Sequence, residues 1–241
     1  DVNATLGRVT VEIPSEVSDA LLTTVPDAFR GNVNDGLLAA LALAVSRWRR
    51  NRGLDVPATL VELEGHGREE QVLPGADLGR TIGWFTSMFP VRLDLTGIDI
   101  DDAFAGGRAA ASAVKAIKEQ LLAIRDHGIG FGMLRYLDPE SVNHLRNQRT
   151  PQISFNYLGR FSTGVADSAG RVDWTPTAEV DLTRTQDRGA PVAAALGINA
   201  VTTDIGGRPQ LRATWSYAAG VLDAEEVGEL AQLWVRALTA V

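Results

Sequence analysis

Ala58-Thr-Leu-Val-Glu-Leu-Glu-Gly-His-Gly-Arg-Glu69 (ATLVELEGHGRE) runs from a two-residue alternation straight into two glycines crowded by acids, an imidazole and a guanidinium. The first half reads as a strand over 58–64, with Leu60, Glu62 and Glu64 sharing one face. At least one carboxylate then points where an apolar neighbour points. Partial burial disfavours a charged carboxylate and moves it toward the range useful for proton transfer, with Arg68 placed to hold that shift in check. Gly65 and Gly67 permit a sharp turn and a close ligand approach. The same residues also make an ordinary strand end with an ion pair and a turn, because structural ion pairs perturb carboxylates too.

A strand of this kind needs partners, and the chain supplies them on both sides. Residues 5–13 alternate Leu6, Arg8, Thr10 and Glu12 against Gly7, Val9, Val11 and Ile13, as a half-buried strand does. Pro14 and Ser15 open a short helix carrying Val17, Leu21 and Leu22. Over 34–50 the apolar stripe Leu37, Leu41, Val45 and Trp48 is widened by Leu38 and Leu43, which predicts a helix buried between layers. A second strand is expected over 84–95, interrupted at Pro90, which lacks the ladder N–H. The spacing predicts a helix over 110–125 ended by Gly128 and Gly130, a strand over 153–158, and a hairpin of 192–201 with 210–217 around Gly206-Gly207. Asp223 and Glu226 form a capping box for a last helix with core face Val227, Leu230, Trp234 and Leu238. The order predicts an α+β fold, a mixed β-sheet covered by helices. The polar stretch 162–189 lacks periodicity, and loops of that length inside compact domains tend to be functional.

Composition removes whole classes of function. With 23 basic and 30 acidic residues the formal net charge is -7, which argues against nucleic acid as a partner. The chain has no cysteine, hence no disulfide, thiolate nucleophile or thiolate metal site, and the cytosol is the expected compartment. The apolar run 37–45 falls far short of the roughly 20 residues of a membrane span, and the N-terminus shows no signal-peptide pattern. Gly128, Gly130 and Gly132 are spaced GxGxG but lack the preceding strand and following helix start of a dinucleotide cradle. No metal site is expected.

Four stretches in order, EGHGRE at 64–69, RTIGWFTSMFPVRL at 80–93, GIGFG at 128–132 and SFNYLGR at 154–160, give the chain its resemblance to the epimerization domains of nonribosomal peptide synthetases. Asn34-Asp35 opening the apolar helix fits as well, and Phe131 stands where the family often has tyrosine. The resemblance implies a chloramphenicol-acetyltransferase-like lobe, half of a condensation or epimerization domain. The family's paired-histidine motif belongs to the N-terminal lobe, and the histidines here, His66, His127 and His144, are all solitary. Residues 1–241 therefore resemble the C-terminal lobe, with 162–189 as a possible crossover segment to the other.

The activity so implied is L-to-D inversion at Cα of an aminoacyl or peptidyl thioester presented on the phosphopantetheine arm of a peptidyl carrier protein. No cofactor is expected to be bound covalently. By motif matching Glu64 becomes one proton-transfer group, opposite a histidine of the N-terminal lobe. Tyr157 is implied as a tunnel residue and proton relay, although it reads equally as a core aromatic beside Phe155. Arg68, Asn156 and His66 are supporting candidates: Arg68 to orient Glu64, Asn156 to serve the site or cap a strand-end group, His66 to act in the chemistry or bond the turn. In a regular strand Asn156 and Tyr157 face opposite sides unless a bulge intervenes. The isolated lobe is expected to be inactive, with self-association through its exposed inner face. Two other functions compete: an amide-forming condensation lobe, and a non-catalytic scaffold on which carrier proteins dock.

Overall fold

The computed structural model describes residues 1–161 and 187–241 of the chain. Among these, six strands form one mixed sheet. In chain order they are β1 (Leu6–Glu12), β2 (Ala58–His66), β3 (Thr86–Asp94), β4 (Ile153–Phe161), β5 (Leu196–Ile205) and β6 (Arg208–Ala218). Across the sheet the order is β1-β6-β5-β4-β2-β3. β4 lies parallel to β2 on one side and to β5 on the other, and the remaining pairs are antiparallel. The helices are α1 (Ser15–Leu22), α2 (Thr24–Phe29), α3 (Val33–Arg50), α4 (Ile100–Phe104), α5 (Arg108–Leu122), α6 (Ile129–Tyr136), α7 (Pro139–Arg146) and α8 (Ala224–Ala240). This is the α+β sandwich that the patterning predicts.

Register divides the sheet into rows that alternate between its faces. Leu63, Phe155, Ile198, Trp215 and Val9 stand side by side on the face that meets the helices. The next row, Glu62, Ser154, Gly197, Ser216 and Arg8, belongs to the opposite, polar face. α3 is buried continuously from Asp35 to Ser46, as its all-round apolar pattern requires. Trp234 of α8 is fully buried, packs edge-on against Trp215 with centroids 5.8 Å apart, and donates its indole N–H to the Leu37 carbonyl. The Asp223–Glu226 capping box forms, and Gly206 (φ 59) and Gly207 (φ 78) make the left-handed two-residue turn of the β5–β6 hairpin.

Several expectations are corrected. β2 does not stop at Glu64; it runs through Gly65 to His66, because β3 stays paired with it as far as His66↔Thr86. β3 is unbroken at Pro90, since it is the edge strand and needs no second ladder there. α5 ends at Leu122, ahead of the glycines, and Gly128 instead caps the start of α6 in a left-handed conformation (φ 81). Of the stretch 162–189, residues 162–186 lie outside the described residues, while the Arg188 carbonyl accepts from the Ala4 N–H at 3.0 Å. Among the described residues no helix is long and apolar enough to cross a membrane.

Candidate functional site

The parallel pairing of β2 with β4 brings two distant motifs side by side. Glu62 lies opposite Ser154, so two residues further on, Glu64 stands beside Asn156 on the polar face. The contact is direct: Asn156 Nδ2 donates to Glu64 Oε2 at 2.8 Å, and Asn156 Oδ1 lies 2.8 Å from His66 Nε2. A carboxylate only accepts, which fixes the amide nitrogen toward Glu64 and the amide oxygen toward His66. His66 must therefore carry its proton on Nε2. One amide thus orients the carboxylate through Oε2 and bonds the imidazole.

Tyr157, one residue on, faces the other way, and the register shift in β4 falls after it, between Tyr157 and Arg160. Its hydroxyl lies 3.0 Å from the Thr202 hydroxyl. Burial pushes the phenol above its ordinary value, opposed by the Thr202 bond and by Arg160, so at neutral pH it is a protonated donor. Tyr157 is thus packed against the core cluster and at the site at once.

Glu64, His66 and Tyr157 all line one cleft of about 580 Å³ at the ends of β2 and β4. Its wall also draws on the start of α3 (Asn32, Asp35), the end of α5 (Leu121, Leu122), Ile124 just beyond it, and the turn holding Asp126 and His127. Asp35 is 2% exposed; its Oδ2 accepts the Asn32 N–H at 2.7 Å, and its Oδ1 is buried with no hydrogen-bond partner among the described residues. Burial pushes its carboxyl above the usual range, partly offset by the Asn32 bond and Lys118.

Arg68 is not brought to Glu64. Its guanidinium donates to the carbonyls of Leu78 and Thr81 and stacks 4.3 Å from the Phe85 ring, tying down the loop that follows β2. Sequence reasoning also passed over Asp35, Glu69 and His127 as cleft residues. Glu69 ends the EGHGRE motif and His127 precedes GIGFG, so position beside a motif was the available signal.

The helix-backed mixed sheet is the chloramphenicol-acetyltransferase-like fold of condensation and epimerization domains. The chain belongs to the condensation-domain family, whose model matches residues 3–190. It is 39% identical over 243 residues to a linear gramicidin synthase of Brevibacillus parabrevis, covering 99% of this chain and 3% of that protein. It is 37% identical over 231 residues to chondramide synthase cmdD of Chondromyces crocatus, covering 95% of this chain and 5% of that protein. Among solved structures, the epimerization domain from the third module of tyrocidine synthetase B superposes with a TM-score of 0.78 at 28% identity, over 99% of this chain and 48% of that one. The chain therefore spans a few per cent of its curated relatives and about half of that epimerization domain.

Proposed function

We propose that this chain is the C-terminal lobe of a peptide synthetase epimerization domain, in which Glu64 exchanges a proton with Cα of an aminoacyl or peptidyl thioester. The substrate is carried on the phosphopantetheine arm of a peptidyl carrier protein, and an N-terminal lobe bearing the paired histidines supplies the opposing group. A thioester carbonyl acidifies the neighbouring C–H by delocalising the carbanion onto oxygen, so the reaction needs proton transfer and enolate stabilisation. Glu64 removes the proton from one face, and the opposing histidine returns one to the other; the roles reverse in the D-to-L direction. Tyr157, protonated at neutral pH, relays protons within the cleft.

The observation that carries this reading is the Glu64–Asn156–His66 cluster, which joins the EGHGRE and FNYLG motifs through hydrogen bonds of 2.8 Å at the mouth of a cleft. It goes with the similarity to an epimerization domain over 99% of the chain. In the complete domain, Glu64→Gln keeps the volume and the Asn156 contact region but removes proton transfer. Inversion of an L-aminoacyl carrier domain, followed by chiral analysis of the released amino acid, is expected to fall by about 100- to 10,000-fold with an unchanged melting temperature. Wild-type turnover by this variant would show that Glu64 is structural.

A further inference from the structure

The reactive cluster sits at a strand end, and its support comes from two residues that no motif assigns a role. We propose that Glu69 and His127 are a positioning pair that fixes the end of β2 on which Glu64 and His66 stand; this rests on the epimerase reading above. Just past β2, the Gly67 N–H donates to the Phe85 carbonyl at 3.1 Å, and Glu69 turns the chain with a left-handed φ of 43. Glu69 Oε2 then lies 2.8 Å from His127 Nδ1 and also accepts from Gln71 Nε2. The carboxylate is largely withdrawn from water, with 15% of its side chain exposed, whereas the imidazole, at 75%, reaches in from the rim.

The anchor on the far side is rigid. Asp126 (φ 48), His127 (φ 49) and Gly128 (φ 81) are successive left-handed residues, a conformation that persists only where contacts over-determine it. Gly128 is pressed on Phe89 so closely that a Cβ would fall 2.2 Å from the ring. Phe89 pairs with Leu63, the residue before Glu64, and the His127 carbonyl lies 3.7 Å from the place a Cβ on Gly65 would take. The turn is therefore wedged on β3 and clasps the loop into which β2 runs. Releasing the clasp frees Gly65 to Gly67 and, with them, the aim of Glu64.

Two measurements test this. In the complete domain, His127→Ala and Glu69→Gln are each expected to lower kcat for inversion by about 10- to 100-fold, the loss typical of a misaimed group, with KM for the aminoacyl carrier domain little changed. The double variant should be no worse than either single one, and His127→Lys, which restores a hydrogen-bond donor facing Glu69, should recover most of the rate. Wild-type kcat in His127→Ala, or losses that multiply in the double variant, would overturn the proposal while leaving Glu64 in its role. The second measurement needs no activity: amide hydrogen exchange at Gly65 to Gly67 in this chain is expected to be about tenfold faster in His127→Ala than in wild type. Unchanged exchange there would overturn the proposal. A wild-type complete domain that fails to invert would defeat the epimerase reading, and the exchange rates would still decide whether the clasp exists.

Discussion

A single amide decides how Glu64 is presented. Because Asn156 must give its nitrogen to the carboxylate and its oxygen to His66, the three side chains hold one arrangement. Arg68 shows the opposite case: a guanidinium four residues from the carboxylate spends its donors on main-chain carbonyls, so proximity in sequence misassigned it. The Glu64–Asn156 contact spans 92 positions, so no local pattern could reveal it; the motifs made both residues site candidates without pairing them. Asp35 offers a stability test at this scale. Its carboxyl is raised by burial, so the folded state holds its proton more tightly than the unfolded chain, whose value is near 3.8. Stability from this group is complete below that value and is lost as pH rises through the raised one. Asp35→Asn does not titrate and keeps an acceptor for the Asn32 N–H. The variant should gain on wild type as pH is raised from about 4 toward neutrality, measured as the difference in urea midpoint; a difference independent of pH would show that Asp35 is not held protonated.

At the scale of elements, the strands, the β5–β6 hairpin and the capped α8 were legible because their signals are local: alternation, a Gly-Gly turn, a capping box. α6 and α7 were not. GIGFG carries three glycines in five residues, which read as a helix terminator, yet two of them lie inside α6. Their environments separate the roles. Gly130 and Gly132 would meet nothing within 4 Å if given a Cβ, whereas Gly128 combines φ 81 with a Cβ position 2.2 Å from the Phe89 ring. Gly130→Ala is therefore expected to stabilise the fold by about 0.5–1 kcal/mol through helix propensity. Gly128→Ala should cost about 2–4 kcal/mol, from left-handed strain added to overpacking. Chemical denaturation of the pair checks the contrast, and equal effects would mean that α6 does not begin where Gly128 places it. The overextension of the predicted 110–125 helix has the same origin, since the stripe Val114, Ile117, Leu121 and Ile124 continues past the point where Ala123 closes the last turn.

At the scale of the whole molecule, the two faces of the sheet are unequal. One is sealed by α3, α5 and α8 over a continuous core, and the other carries Glu62, Glu64, Ser154 and Asn156 in polar rows. The cluster built on that second face holds one carboxylate and one imidazole, both carried by β2. Inversion requires that a proton leave one face of Cα and another arrive at the opposite face, and two groups on one strand end address a single face. The chain by itself is accordingly expected to leave L-aminoacyl carrier domain unchanged in configuration. Incubation in deuterated water, with chiral separation and mass analysis of the released amino acid, reads both events: exchange with retention means that Glu64 works alone from one side, and neither exchange nor inversion means that it needs the opposing lobe even to begin. Inversion at a rate near that of a complete domain would place both proton-transfer groups within these 241 residues and remove the need for a second lobe.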